Sequence, residues 1–198
     1  MAGKKAKGKK AGKSRRKMQT WEWVVVAAIG AAVVWGVWDW QRSGAEEKDF
    51  LTLAKEGEPA LSRVERQPSA GAGHVGPGDP VSYDSRFPTS GRHDPDPVDP
   101  GVYDSVQPPS RLVHSLEHGM VVVYYDQPGA DTMDTLKEWA DLFNDVWSGV
   151  VVTPAPGLGK AVMLTAWTHT LRLDPFEPAT AAAFVDRFRG RGPENPVR

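Results

Sequence analysis

The most strongly patterned part of the chain is an apolar run near the N-terminus. Residues 23–38 read WVVVAAIGAAVVWGVW and contain no charged side chain. At a rise of about 1.5 Å per residue, a helix over residues 21–40 would be about 30 Å long, which matches the hydrocarbon core of a bilayer. Tryptophans lie at both ends of this segment, as in the aromatic belts of membrane proteins. The pattern therefore predicts a single transmembrane helix over residues 21–40.

From residue 120 onward, the spacing of apolar residues is typical of alternating strands and helices. Runs of β-branched residues predict buried strands, and apolar residues three and four positions apart predict amphipathic helices. The strands are expected at residues 120–125, 150–153 and 160–167, and the helices at 131–147, capped by Asp131, and at 178–189. The order β-α-β-β-α predicts an α+β fold, a small mixed-sheet α/β sandwich with the helices on one face of the sheet.

Two less regular segments separate the membrane helix from this pattern. Residues 41–72 are polar and predict a linker, with a short helix over residues 46–64. Residues 73–109 are dense in proline and glycine, which excludes a regular helix or a central strand. Tyrosines and valines between the turns favour an ordered segment that wraps around the domain. We expect the folded domain to span residues 73–190 and the last residues, 191–198, to fray.

Charge is distributed unevenly between the two sides of the predicted membrane helix. Residues 1–20 carry nine Lys and Arg and no acidic residue, whereas the rest of the chain has a net charge of −10. The positive-inside rule then places this basic tail in the cytoplasm and the C-terminal domain outside. A Lys-rich tail could bind nucleic acid, but topology and attraction to anionic lipid explain the charge, so we expect no nucleic acid partner.

An uncleaved membrane anchor is favoured over a cleaved signal peptide. The residues directly after the apolar run, 39–42, do not form a small-residue cleavage site, and residues 43–45 offer only a weak one.

The chain also contains no cysteine, which excludes disulfides, iron–sulfur clusters and thiolate nucleophiles. Any metal site is therefore limited to His, Met, Asp, Glu or backbone ligands.

Two histidines have a spacing that suits a metal ion. His114 and His118 lie in the sequence HSLEH. On a helix, side chains four positions apart share a face about 6 Å apart, whereas on a strand they would be about 13 Å apart. Ser110 as an N-cap and Gly119 at the C-terminal end favour a short helix here. The Glu precedes the second His rather than following the first, so the HExxH zinc-protease motif is excluded.

Further candidate ligands lie on either side of this helix. His74 and His93 belong to the Pro/Gly-rich segment, which can fold back over the helix. Four imidazoles, or three with Met120, would suit copper or zinc. Glu117 could be an additional ligand, a hydrogen-bond partner that orients an imidazole, or a solvated helix residue. His169 follows a predicted strand and is interpreted as incidental.

Five segments of the chain form a recognisable set: GHV (73–75), FPTSGRH (87–93), LVHSLEHGMVVVYY (112–125), VVTPAPGL (151–158) and LTAW (164–167). They resemble the bacterial DUF3105 family, a domain of unknown function whose members commonly carry an N-terminal membrane helix. The resemblance covers roughly residues 73–190 and implies that motif positions are occupied by His74, His93, His114, Glu117 and His118. Phe87 and Arg92 stand where the family more often has proline, which changes the expected loop shape but not the histidines.

We therefore expect a membrane-anchored extracytoplasmic domain with a histidine-rich copper or zinc site, used in metal handling or in assembly of a membrane metalloenzyme. The expected ligands are His74, His93, His114 and His118, with Glu117 and Met120 as additional candidates. Two alternatives stay open. One is a non-catalytic accessory subunit of a membrane protein complex, and the other is a metal-dependent hydrolase with Glu117 as its base. No other catalytic or cofactor-binding residue is predicted.

Overall fold

The computed structural model describes residues 19–76 and 79–198. Nearly all of the basic tail predicted for residues 1–20 lies outside the described residues. The chain divides into two compact units, one ending at Arg42 and the other comprising Ser43–Arg198.

The predicted membrane segment is helical. Helix α1 comprises Thr20–Gly57, and among the described residues it is the one helix long and apolar enough to cross a membrane. Consecutive apolar side chains are exposed along its first half, including Trp23, Ile29 and Val34. Apolar residues on every side of a helix are typical of a membrane span rather than of a helix that covers a soluble core.

The segment predicted as a linker with a separate short helix is largely a continuation of α1. After Gly57 the chain forms a 3₁₀ helix, Glu58–Arg63. Phe50 and Ala54 are each only 3% exposed, because the Phe50 ring packs edge-on against Trp139 and Phe143 at 5.5 and 4.7 Å between ring centroids. The linker prediction is therefore corrected: the compact unit begins near Ser43, and this part of the chain contributes to its core.

A mixed sheet forms the centre of the second unit. Its strands, in spatial order, are β1 (Glu65–Arg66), β8 (His169–Leu173), β7 (Val162–Ala166), β5 (Val121–Tyr125), β6 (Val150–Pro154) and β4 (Gly101–Val102). Strand β6 pairs in parallel with β5 and with β4, and the pairs β5–β7, β7–β8 and β8–β1 are antiparallel. A separate parallel pair joins β2 (Ala72–His74) to β3 (Gly91–His93). The mixed α+β fold predicted from the sequence is confirmed.

The short strands β1 to β4 were not predicted, and after residue 120 the predicted order lacks one strand, β8, which lies between β7 and the final helix. Strand β7 turns into β8 through Trp167 and Thr168, and Thr168 adopts a positive φ of 60°. In sequences, two-residue hairpin turns are usually recognised by an Asn-Gly, Asp-Gly or similar pair. A Trp-Thr pair gives no such signal, so the second strand of this hairpin was not expected.

Helices cover both faces of the sheet. They are α2 (Pro109–His118), α3 (Ala130–Leu142) and α4 (Pro178–Phe188). Helices α3 and α4 pack with the end of α1 over one face, where Val121 and Val123 of β5 point. Helix α2 packs on the other face, against Val122 and Tyr124. Because strand side chains alternate between faces, β5 contributes to both apolar clusters. The expectation of helices on one face holds for α3 and α4, whereas α2 lies opposite.

The ends of the helices differ from the predictions in three places. Helix α2 begins at Pro109, so Ser110 lies in its first turn and is not its cap, whereas Gly119 ends it with a φ of 101° as expected. Helix α3 begins after Gly129 rather than at an Asp131 cap, and it ends at Leu142. Trp147, predicted on the apolar face of α3, therefore lies in a turn beyond it.

The C-terminal residues, predicted to fray, pack against the domain. The Val197 amide donates to the carbonyl of Gly190 at 2.8 Å, and Arg198 pairs with Asp186 at 2.8 Å. Gly192 makes this packing possible, since a Cβ there would lie 2.1 Å from the carbonyl oxygen of Glu117. The backbone of the C-terminal segment therefore crosses directly over the end of α2.

Candidate metal centre

Three elements bring four ligand side chains together. The parallel pairing of β2 with β3 places His74 opposite His93, and the C-terminal half of α2 presents His114 and Glu117. The three imidazole rings lie 4.8–5.0 Å apart between centroids. One ligand atom from each imidazole and from the Glu117 carboxylate lies within 4.8 Å of all the others. We call His74, His93, His114 and Glu117 the inner group.

The inner group lies mostly away from solvent. The side chain of His93 is fully buried, that of Glu117 is 12% exposed and that of His74 is 49% exposed. The His114 side chain is only 5% exposed. Titratable side chains are rarely buried unless they are paired or hold an ion. Their burial together indicates a built polar site with one open side, at His74.

Backbone carbonyls fix the orientation of two imidazoles. The Nδ1 atom of His93 lies 2.8 Å from the carbonyl oxygen of Gly91, and that of His114 lies 2.8 Å from the carbonyl oxygen of Asp94. A carbonyl can only accept, so Nδ1 carries the proton in both rings. In the neutral ring Nε2 then has a free lone pair. This arrangement is common among metal-binding histidines, whose second nitrogen donates to a carbonyl or carboxylate.

The contact between His93 and Glu117 carries the most information about the site. Nε2 of His93 lies 2.9 Å from Oε2 of Glu117, yet among the described residues this buried nitrogen has no hydrogen-bond partner of acceptable geometry. With Nδ1 protonated, a neutral His93 would direct a lone pair toward a carboxylate oxygen that also offers only lone pairs. Such a contact needs a positive charge between or beside the two atoms, either a proton on Nε2 or a metal ion.

A second group of ligand atoms adjoins the first. Nε2 of His118 lies 3.1 Å from Oε2 of Glu194, and Nε2 of His114 lies 3.8 Å from the same oxygen. Ligand atoms of these three residues also lie within 4.8 Å of one another. We call His114, His118 and Glu194 the outer group. Its carboxylate is 41% exposed, so the outer group is open to solvent at the C-terminal segment.

Trp147 holds the imidazole of His118 in place. The two rings stack with centroids 4.0 Å apart and an interplanar angle of 26°. Nδ1 of His118 also lies 3.2 Å from the carbonyl oxygen of Val146. As in the inner group, the contact of Nδ1 with a backbone carbonyl leaves the Nε2 atom of His118 directed at the other ligands.

The electrostatics of the site favour neutral His114, which is the form that binds metals. Burial lowers the pKa of His114, and the neighbouring imidazoles lower this pKa further, whereas the hydrogen bond to the carbonyl of Asp94 opposes them. A group with a lowered pKa resists protonation at neutral pH. His114, the one histidine common to both groups, is therefore held with its Nε2 lone pair available.

The structure divides the predicted ligand set. His74, His93 and His114 converge with Glu117, whereas His118 lies beside them with Glu194. Met120 is fully buried in the apolar cluster that includes Leu112 and Leu116. The ring of His169 lies against Phe188 at 4.5 Å and belongs to neither group.

Sequence reasoning missed Glu194 and the role of Trp147. Glu194 lies in the polar segment GPENPVR, which has no apolar pattern that would predict packing. The spacing of Trp147 from Trp139 and Phe143 suited a helix face, and this concealed its place next to His118.

The fold and the site together define a histidine- and carboxylate-bearing α+β domain that follows an apolar N-terminal helix. Residues 74–198 match the model of DUF3105, a protein family of unknown function. The match covers more than half of the chain, so the protein belongs to the DUF3105 family, which confirms the resemblance noted in its motifs. Neither the curated proteins nor the solved structures give a match.

Proposed function

We propose that this protein is a membrane-anchored domain that binds one copper or zinc ion through the inner group. The observation that supports it best is the 2.9 Å approach of buried His93 Nε2 to the Glu117 carboxylate, with no hydrogen bond between them. A divalent cation bound by both atoms would turn this repulsive contact into two favourable ones. His74 and His114, which face the same space, would complete a four-coordinate set of three nitrogens and one oxygen.

The donor atoms favour Cu(II) or Zn(II) over Cu(I). Imidazole suits both divalent ions, and a carboxylate is a hard ligand that Cu(I) does not prefer. The burial of Met120 in the apolar core also argues against thioether ligation. At equal availability Cu(II) would bind more tightly than Zn(II), following the general order of divalent affinities.

The proposed place of work is the non-cytoplasmic face of a membrane. Helix α1 supplies the apolar length, and the basic residues before it favour a cytoplasmic N-terminus. On this reading the lipid bilayer is one partner, and the domain handles a metal ion or helps to assemble a membrane metalloenzyme. The half-exposed His74 gives the ion a way in.

The geometry favours ligation by Glu117 over its use as a hydrolytic base. A general base must be free to take a proton from water, whereas the Glu117 oxygen lies 2.9 Å from one imidazole nitrogen and 3.9 Å from another. A carboxylate held among imidazoles at such distances is placed to share their ion. We therefore propose a binding role rather than an enzymatic one.

Metal content of the full chain, purified in detergent without a His tag, tests the proposal. We expect one ion of copper or zinc per chain in the wild type and a loss of that ion in the double variant His93→Gln/His114→Gln. His169→Gln is the matched control, because it removes an imidazole outside both groups and should leave the ion bound. If the wild type holds no ion after incubation with either metal, the proposal is wrong and the accessory-subunit alternative is favoured.

A further inference from the structure

We infer that the outer group, His114, His118 and Glu194, is a second position for the same metal ion, through which the ion enters or leaves the inner group. This inference rests on the proposed function and extends it from holding an ion to passing one on. The geometry that points to it is the sharing of one histidine by two adjoining sets of ligand atoms.

His114 can bind only one ion at a time. Its Nδ1 is committed to the carbonyl oxygen of Asp94 at 2.8 Å, which leaves Nε2 as its one ligand atom. Nε2 therefore cannot hold an ion in the inner group and another in the outer group together. An ion that moves between the groups can instead remain bound to His114 while its other ligands are replaced.

The replacement of ligands leaves the number of carboxylates bound to the ion unchanged. An ion leaving the inner group gives up His74, His93 and the Glu117 carboxylate, and it gains His118 and the Glu194 carboxylate. Each position supplies one carboxylate and at least two imidazole nitrogens, so the ion moves without a change in its oxidation state. Once it has left, the contact between His93 Nε2 and the Glu117 carboxylate takes up one proton from solvent. The ion stays bound to His114 while one carboxylate replaces the other, so it is never without ligands. An ion without ligands would be costly in a partly buried site.

Exposure differs along this route. The inner position is built on His93, whose side chain is fully buried, whereas the outer position ends on Glu194, whose side chain is 41% exposed. Two openings therefore flank the buried ligands, one at His74 and one at the C-terminal segment. An ion taken up at one opening can be released at the other without crossing the core.

The backbone ties the outer carboxylate to the inner ligand. The amide of Glu194 donates to the carbonyl of Glu117 at 3.3 Å, and the amide of Gly190 donates to the carbonyl of Gly119 at 2.8 Å. The stack of Trp147 on His118 fixes the remaining outer ligand. Two backbone hydrogen bonds and one ring stack thus hold the outer group in place.

Electron paramagnetic resonance of Cu(II) bound to the full chain in detergent tests the inference. With less than one copper per chain, we expect two Cu(II) signals in the wild type, because the positions differ in the number of nitrogen ligands. Glu194→Gln and His118→Phe should each abolish the signal of the outer group, while the chain still binds copper in the inner group. The phenylalanine keeps the stack on Trp147 without a ligand nitrogen. Glu65→Gln, which changes an exposed carboxylate on β1, should retain both signals.

The outcomes separate this inference from the proposed function. A wild type that binds neither copper nor zinc defeats both, and one that binds zinc but no copper overturns the second copper position alone. Copper bound with a single signal that neither variant changes leaves the proposed function standing and overturns the second position. The same holds if two signals persist in both variants, because the outer group would then not be their source.

Discussion

Gly192→Ala should detach the C-terminal segment from α2. A Cβ at this position would lie 2.1 Å from the Glu117 carbonyl oxygen and 2.2 Å from the Gly119 amide nitrogen. Both neighbours are backbone atoms, so no flexible side chain can move aside. Because a carbon atom packs comfortably against another heavy atom only at about 3.5 Å, the two backbone segments must separate by roughly 1.4 Å.

The cost follows from the hydrogen bonds that such a separation would break. They are the bonds from Gly190 to Gly119 and from Glu194 to Glu117, at 2.8 and 3.3 Å. At about 0.5–1.5 kcal/mol each, their loss lowers the free energy of unfolding by about 1–3 kcal/mol. For a chain of this size each kcal/mol lowers the melting temperature by about 2–4 °C. The variant should also lose the Cu(II) signal of the outer group.

Thermal unfolding followed by tryptophan fluorescence measures this effect in the full chain. Gly44→Ala is the matched control, because a Cβ on this helical residue has no heavy atom within 4 Å. It should be neutral or stabilise the helix by up to about 1 kcal/mol. If Gly192→Ala melts at the wild-type temperature, the close packing of the C-terminal segment on α2 is refuted.

Three further changes test other parts of the site and the fold. Glu117→Gln should weaken metal binding about 10-fold or more in calorimetric titration, and an unchanged dissociation constant would show that the carboxylate does not take part. Cu(II) should quench tryptophan fluorescence, and Trp147→Phe should remove most of that quenching because this ring stacks on His118 at 4.0 Å; equal quenching in both proteins would contradict the contact. Burial raises the pKa of Tyr83 to about 12. The buried, neutral ring therefore stabilises the fold fully below the ordinary tyrosine pKa of about 10, and this stabilisation is lost as the pH rises through the pKa of the folded state. Burial raises the pKa of Tyr124 as well, so ultraviolet absorbance should show several late-ionising tyrosines, of which Tyr83→Phe removes one; identical titration curves would be evidence against the burial of Tyr83.

Periodicity predicted the elements that have a strong local pattern. The apolar run of α1, the β-branched strands β5 and β6 and the amphipathic helices α3 and α4 all lie where their patterns placed them, to within a few residues at most ends. Gly119 also marked the end of α2, because only a residue without a Cβ adopts its positive φ readily. This placed His114 and His118 on one helix from the sequence alone.

Pairings between distant parts of the chain could not be read from local pattern. Strands β2 and β3 are three residues long and lie in a Pro/Gly-rich segment, so nothing in the sequence shows that His74 pairs with His93. Glu194 reaches His118 only because Gly192 permits a backbone crossing. Trp147 was misplaced because a regular aromatic spacing continued past the residue where the helix ends. In each case tertiary packing, and not local preference, decides the position of the residue.

X-ray absorption at the zinc edge, on the full chain loaded with one zinc ion per chain, tests the central claim most directly. The proposed site predicts nitrogen and oxygen ligands at about 2.0–2.1 Å, with outer scattering from at least two imidazoles that weakens in His93→Gln and is unchanged in His169→Gln. Zinc that is lost on gel filtration, or a bound ion without imidazole scattering, would contradict a histidine metal centre in this protein.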